Sequence, residues 1–364
     1  MGVRRFAVDD IPQVANLWWT VLRRRKAPPP PLVLSYFQEL YFNGPLIDEG
    51  MPPLVYEAKN GGIVGFLGVI RRRMSLRGQP IRVAFGGNFV VQPEARSSLA
   101  GLRLLADYMA GSQDLSQTDS ANDISKNLLE RLGFRTIVPL SIHWERPLRP
   151  ARYVVHWMSK LAGPILGGGL KLATRPLCGA ADSAAARLSF SPFRQTESRL
   201  HAAELEVEML LHCLNEFRCN CSLQPEYDTD SLRWLLTFME RMHPRASLRG
   251  VALRDASQKM IGWYIYYLKP GDRGQVLQLG GQREFIKNIL EHLLHDAWSH
   301  GAIGLHGVVP SHLMGDFSEK SCFFTCRGGW NVAHSRKPEL LELLGHGDAS
   351  LSRLDGDSCL NFGD

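Results

Sequence analysis

Residues 88–102 read Asn88-Phe89-Val90-Val91-Gln92-Pro93-Glu94-Ala95-Arg96-Ser97-Ser98-Leu99-Ala100-Gly101-Leu102, the most informative stretch of the chain. It closes an extended run that begins at Ile81 and ends at Pro93. A helix follows, with Leu102, Leu105, Ala106 and Met109 at helical spacing. Between strand and helix lies a loop of small residues. Such a loop presents backbone N–H groups at a helix N-terminus, where the aligned peptide dipoles favour an anion. Arg96 adds a charge that suits a pyrophosphate. The same residues also fit an ordinary strand-to-helix turn with a surface arginine, so the loop alone leaves both readings open.

Upstream, Asp9-Asp10-Ile11-Pro12 is a helix start, and Ile11, Val14, Ala15, Trp18 and Leu22 fall on one face. Prolines 28–31 stop that helix, and a second apolar segment runs from Tyr36 to Tyr41. Leu54 to Ala58 and Ile63 to Ile70 flank the turn Lys59-Asn60-Gly61-Gly62, which predicts a β-hairpin. Downstream, Thr118-Asp119-Ser120 predicts the opening of a helix that places Ile124, Leu128 and Leu132 on one face and stops at Gly133. Helix, helix, hairpin, strand, helix, strand, helix, strand is the order of an α/β chain with one twisted mixed sheet and helices on its faces.

The second half repeats that order. Helices are expected from about Leu200 to Cys213 and from Thr229 to Met242. Strands follow at Gly250 to Arg254, Met260 to Tyr267 and Gln275 to Leu279, then a long helix through Ile286, Ile289, Leu290, Leu293 and Ala297. A strand at Ala302 to Val309, a helix near Leu313 and Cys322-Phe323-Phe324 complete the parallel, so the chain reads as an internal duplication. The expected organisation is a domain over 1–146, a connector rich in Pro, Gly, Ala and Ser over 147–199, and a domain over 200–364. The connector carries an amphipathic helix around Tyr153 to Leu161. Packing between the domains is its favoured use, with contact to a membrane surface as the other.

Composition supports two soluble domains: 364 residues, 45% hydrophobic and 21% charged. The net charge of +6 suits an anionic small molecule but is modest for a nucleic-acid binder, and nucleic acid is not an expected partner. The N-terminal Met-Gly-Val-Arg-Arg-Phe lacks the apolar core of a signal peptide, and Leu161 to Leu170 is too short to span a bilayer. Seven irregularly placed cysteines point to reduced thiols and a cytoplasmic protein. No metal is expected. Cys219-Asn220-Cys221 and Cys322 with Cys326 lack zinc spacing, and His292, His295 and His300 have no converging further ligand.

The strand, the loop and the helix of residues 88–102 resemble the coenzyme A motif of the GCN5-related N-acetyltransferases (GNAT). Its pattern is Arg or Gln, two residues, Gly, one residue, then Gly or Ala. Arg96 and Gly101 match the ends, and Leu99 stands where the first glycine belongs. Asn122 begins the next helix, as an asparagine often does in that family, and Leu132-Gly133-Phe134 matches its closing Leu-Gly-Phe. The whole chain resembles bacterial tandem-GNAT proteins, in which stretches like Gln113 to Asp123, Trp144 to Pro150, Gly262 to Tyr267 and Leu351 to Gly356 recur.

The resemblance implies two tandem acyl-CoA N-acyltransferase folds, the second degenerate. Acetyl-CoA would be held by Val90, Val91, Arg96, Ser97, Ser98, Leu99, Ala100, Gly101 and Asn122. The implied reaction is N-acetylation of a small amine, an amino sugar among the candidate acceptors. The other readings are a non-catalytic module that binds acyl-CoA or a protein partner, and aminoacyl transfer. Asn88 occupies the strand position where a glutamate base is common, and Leu129 the position of the usual tyrosine acid. Asn88 and Asp119 are the catalytic candidates, with Glu94 beside them. In the second half the corresponding turn is Gly280-Gly281-Gln282-Arg283-Glu284, without the Arg-x-x-Gly-x-Gly pattern.

Overall fold

A computed structural model describes residues 2–198, 200–326 and 329–363; for residues 97, 98, 164–167 and 170–172 it describes the backbone alone. The chain forms two compact units, each assembled from separated segments. The first comprises Met1–Ser141, Asn220–Pro244 and Arg327–Asp364, and the second Ile142–Cys219 and Arg245–Cys326.

The first unit holds β1 (Gly2–Arg5), β2 (Leu54–Glu57), β3 (Ile63–Leu76), β4 (Gln79–Val91), β5 (Leu115–Ala121), β6 (Arg135–Thr136), β9 (Leu223–Pro225) and β15 (Trp330–His334). Its helices are α1 (Ile11–Leu17), α2 (Pro31–Gln38), α3 (Ala100–Met109), α4 (Asp123–Arg131), α8 (Thr229–Met242) and α11 (Pro338–Gly345). The sheet runs β1-β2-β3-β4-β5-β15-β6, with β9 on the far end of β3. The expected hairpin is β2 and β3, and β3 pairs antiparallel with the long β4 in turn, whereas β4 and β5 run parallel. A parallel pair needs a crossover, and α3 supplies it. Fully buried rings fill the space under the first helices. Tyr36 lies against Trp18 (5.9 Å between centroids) and Phe238 (5.8 Å), and Phe37 edges onto Phe66 (5.6 Å).

The second unit holds β7 (His143–Pro147), β8 (His201–Glu204), β10 (Ser247–Arg254), β11 (Met260–Leu268), β12 (Arg273–Gly281), β13 (Gly304–Val308) and β14 (Phe323–Thr325). Its helices are α5 (Pro150–Leu161), α6 (Gly163–Arg187), α7 (Val207–Glu216), α9 (Ile286–Ser299) and α10 (Met314–Glu319). The strand order β8-β10-β11-β12-β13-β7-β14 repeats that of the first unit, with β12 and β13 again the parallel pair. The repeated order expected from the sequence is therefore present as two mixed sheets.

Each sheet takes its penultimate strand from the other half of the chain. β15 pairs with β5 and β6 in the first sheet, and β7 pairs with β13 and β14 in the second. The units accordingly do not follow the expected divisions at 146 and 199. The stretch 147–199 is largely α5 and α6, a helical part of the second unit, because alanine favours helix however loop-like its glycine-rich company looks. Two local expectations also shift. The polar Thr118-Asp119-Ser120 continues strand β5, and Asn122 caps α4 by accepting the Ser125 N–H at 2.9 Å. The segment after Leu200 opens as β8, paired with β10, and its helix starts at Val207. Cys219 and Cys221 are disulfide-bonded, against the expectation of seven reduced thiols, while Cys178, Cys213, Cys322, Cys326 and Cys359 are free. Among the described residues no helix is long and apolar enough to cross a membrane.

Candidate functional site

In the first unit β4 and β5 pair only from Val83↔Leu115 to Phe85↔Gln117. Beyond that rung both strands continue, β4 to Val91 and β5 to Ala121, and they part. Tyr108 of α3 marks the fork: its hydroxyl donates to the Ala84 carbonyl at 2.8 Å and lies 3.3 Å from the Gln117 carbonyl. A cavity of about 300 Å³ fills the gap. Its apolar lining includes Trp18, Leu67, Phe89, Leu105, Leu129 and Phe134; its polar lining includes Asn88, Thr118, Ser120, Asn122 and Ser125.

The fork is helped by a β-bulge. Phe66 faces Val90 and Gly68 faces Gly87, so one residue of β3 opposes Asn88 and Phe89 of β4. Asn88 sits there at φ +52°, a left-handed conformation that asparagine tolerates better than most residues. Its carboxamide accepts from Trp18 Nε1 at 2.9 Å and lies 2.7 Å from the Tyr36 hydroxyl and 2.9 Å from that of Tyr41 through Nδ2. Asn88 thus lines the cavity with its polar atoms already engaged, and an amide carries no lone pair basic enough to take a proton at neutral pH.

At the end of β4 the Gln92 N–H bonds the Val64 carbonyl of β3 at 2.8 Å, so the Val91 N–H, one residue back, points to the opposite, unpaired edge. Val90 is buried against the hairpin. A short 3-10 turn, Pro93–Ser98, leads to Leu99 at φ +60° and then to α3. The first bond of α3 runs from the Arg103 N–H to the Leu99 carbonyl (3.0 Å), which leaves the N–H groups of Ala100, Gly101 and Leu102 at the helix entrance. Gly101 is held close to the strand: a Cβ there would come 3.2 Å from Phe89 Cζ. Arg96 is exposed at this entrance and makes no ion pair among the described residues. The side chains of Ser97 and Ser98 lie outside the described residues. Asn122 lines the cavity itself, and α3 links cavity to loop, with Leu105 in the lining about 6 Å along the axis from Gly101.

Asp119 points away from the cavity. Its carboxylate accepts from the Ser358 N–H (2.8 Å) and hydroxyl (2.5 Å). The neighbouring Ser120 hydroxyl, which does line the cavity, donates to Asp357 Oδ2, and Asp357 Oδ1 accepts the Asp119 N–H at 2.8 Å. Burial first, and the Asp119 carboxylate second, push the Asp357 carboxyl well above the usual range. Asp357 lies against the fork, since a Cβ on Gly87 would meet its Oδ2 at 3.1 Å. Sequence reading missed Asp357, Ser120 and Asn361, which also lines the cavity. The recurring Leu351 to Gly356 stretch was the one available signal. Its backbone is held by buried Arg72, which donates to the Gly356 carbonyl at 2.9 Å.

The second unit treats the same place differently. Its parallel pairing of β12 and β13 also ends early, at Gln275↔His306. Arg283, in the turn that corresponds to residues 93–99 of the first unit, is paired with Asp316 of α10 at 2.8 Å. Lys287 with Glu319 (2.7 Å) and Glu291 with Lys320 continue the link from α9 to α10.

A scan against protein-family profiles finds no match, and neither does a search of the curated proteins. Solved structures do match. A conserved protein of unknown function from Enterococcus faecalis V583, described as a probable N-acyltransferase, superposes with TM-score 0.60 at 10% identity, over 92% of this chain and 72% of that one. A GCN5-related N-acetyltransferase from Anabaena variabilis gives TM-score 0.58 at 10% identity, over 92% and 73%. The fold is that of the GCN5-related N-acetyltransferases. Saccharomyces cerevisiae N-myristoyltransferase with bound myristoyl-CoA also matches, with TM-score 0.55 at 9% identity over 91% of this chain and 77% of that one. The GNAT fold expected from the element order and the resemblance is thus present.

Proposed function

We propose that the protein transfers an acyl group, acetyl in the first instance, from coenzyme A to a small amine, and that the first unit performs the reaction. The observation that carries this reading is the open cavity in the fork of β4 and β5, beside a helix entrance furnished with Arg96. In this reading the pyrophosphate lies on the N–H groups of Ala100, Gly101 and Leu102, flanked by Arg96, Ser97, Ser98 and Leu99. The pantetheine arm follows the unpaired edge of Val90 and Val91 toward Asn122. A cavity of about 300 Å³ that must also take the end of that arm favours a short acyl group over a long chain.

The amine nitrogen attacks the thioester carbonyl, a C–N bond forms and the C–S bond breaks. The nitrogen loses a proton and the thiolate leaving group gains one. Ser120 faces the cavity with Asp357 behind it, and burial raises the proton affinity of that carboxyl, so this pair is placed to pass a proton to the thiolate and to take one back from the ammonium. Asn88 then acts by holding the bulge and the rings of Trp18, Tyr36 and Tyr41, and Asp119 by fixing the segment that carries Asp357.

A second reading, binding of acyl-CoA without turnover, is favoured by one feature. Leu129 lines the cavity at the usual tyrosine position, and the nearby Tyr108 hydroxyl is spent on backbone carbonyls. Release of free coenzyme A thiol, followed with a panel of amino sugars and simple amines, separates the two. Transfer predicts release that falls at least about tenfold in Ser120→Ala with binding retained. Binding without release on any amine selects the second reading, and absence of binding removes both.

A further inference from the structure

Helix α5 presents an apolar face that the protein leaves uncovered. Val154, Trp157, Met158 and Leu161 recur at i, i+3, i+4 and i+7, and they are 55%, 40%, 51% and 89% exposed. A core helix of this size would bury that stripe; here the opposite face is the buried one, through His156 and Ser159. α5 and α6 form a helical hairpin turned at Ala162 and Gly163, the latter at φ +80°. The sequence that rounds the turn, Leu161 to Leu170, contains no charged residue.

The hairpin that carries this face is basic in sequence, while Asp272, 3.5 Å from His156, and Glu145, paired with Arg273, are the acids packed against it. Residues 149–194 contain seven basic side chains and one acidic one, a net +6 that equals the net charge of the whole chain. The single acid, Asp182, is buried, accepts the Ala151 N–H at 2.7 Å and lies 3.6 Å from Arg152, so it offsets that one cation and leaves the others. Lys160 and Arg175 are exposed. Trp157 lies between two cations, Lys160 at 5.1 Å and Arg273 at 4.8 Å from the ring centroid.

We propose that the outward face of α5 and the turn into α6 dock the protein on an anionic lipid surface. Trp157, Met158 and Leu161 would enter the boundary between headgroups and acyl chains, with Lys160 on the phosphates and the exposed Arg175, on the neighbouring helix, adding to the attraction. The chemistry selects this partner. An apolar stripe with an aromatic ring at its edge and cations beside it is the arrangement of an interfacial helix, and long basic side chains reach up to headgroups while their stems stay apolar. A protein partner would have to be strongly acidic around an apolar patch, and a second copy would bring like charge against like charge. The docking is peripheral, since the helix lies along the surface and spans nothing. It stands independently of the acyltransferase reading.

The test is sedimentation of the full chain with vesicles of phosphatidylcholine alone and of phosphatidylcholine with roughly a third phosphatidylglycerol. Binding to the anionic vesicles, weakened by added salt, is expected, with little binding to the neutral ones. Trp157→Glu with Leu161→Glu should lower it at least about tenfold, and Lys160→Glu with Arg175→Glu likewise. All four positions are exposed, so the folded circular dichroism spectrum should be retained, as should coenzyme A binding. Equal binding to both vesicle types, none to the anionic ones, or variants that bind as the parent does would overturn the proposal. So would a dimer by light scattering that the Trp157/Leu161 variant abolishes while vesicles bind neither protein.

Discussion

Arg283 Nη1 and Asp316 lie 2.8 Å apart and tie the turn before α9 to α10 in the second unit. In the first unit the corresponding helices, α3 and α4, flank an open cavity, and no ion pair joins them among the described residues. Asp316 is 3% exposed, so removing its partner leaves a buried carboxylate. Arg283→Ala is expected to cost about 2 kcal/mol in chemical denaturation. Coenzyme A affinity should stay at its parent value, which calorimetry on the same variant checks.

Leu99 is the residue by which the coenzyme loop departs from the GNAT pattern, yet its backbone is the one a glycine would take. At φ +60° and ψ +16° a leucine carries left-handed strain of about 1–2 kcal/mol, partly offset by the chain entropy that glycine loses on folding. The side chain is 54% exposed, so its removal forfeits little burial. Leu99→Gly is expected to be more stable than the parent by about 0.5 kcal/mol and to bind coenzyme A at least as tightly. Denaturation midpoints and calorimetric titration measure the two effects.

Asp357 gives a pH dependence whose sign is fixed. Burial, reinforced by the Asp119 carboxylate, raises its folded-state pKa above the ordinary 3.8. Between those two values the folded chain holds a proton that the unfolded chain has released, so its contribution is full below 3.8 and is lost as the pH rises through the window. Asp357→Asn keeps an acceptor for the Asp119 N–H and removes the titration. Parent and variant should differ in thermal midpoint increasingly in the variant's favour as pH is raised from about 4 toward neutrality. A constant difference across that range would show that Asp357 does not titrate as stated.

The thiols offer a chemical check on burial. Cys359 and Cys322 are each pushed up to about 12, and Cys213 to about 11, by desolvation. Cys178 is also buried, whereas Cys326 is only half-buried. Native protein treated with a thiol reagent should therefore react rapidly at Cys326 and slowly elsewhere. The unfolded, unreduced chain should show the five free thiols, and prior reduction should add Cys219 and Cys221.

What the sequence made legible was local. The strand ending at Pro93 and the helix after Leu99 follow from periodicity and turn chemistry, which act over a few residues. The Asn122 start of α4 comes from the family resemblance, whereas the polar residues 118–120 suggest an earlier one. The repeated element order was legible for the same reason. The exchange of β7 and β15 was not, because a short strand joins a sheet through its backbone, and Trp330 to His334 carries no mark of the partner it will meet. Asp357 was hidden by distance of another kind: it meets the Asp119 N–H across 238 residues of chain. Asn88 was recognised by position alone. Only the bulge shows that its carboxamide is engaged by three rings.

The first unit alone is expected to take the coenzyme. Calorimetric titration of the full chain with acetyl-CoA tests it, with Arg96→Glu and Arg283→Glu alongside. One molecule bound per chain is expected, with binding lost in Arg96→Glu and retained in Arg283→Glu. Two molecules per chain, loss in Arg283→Glu instead, or parent-like binding by Arg96→Glu would contradict it.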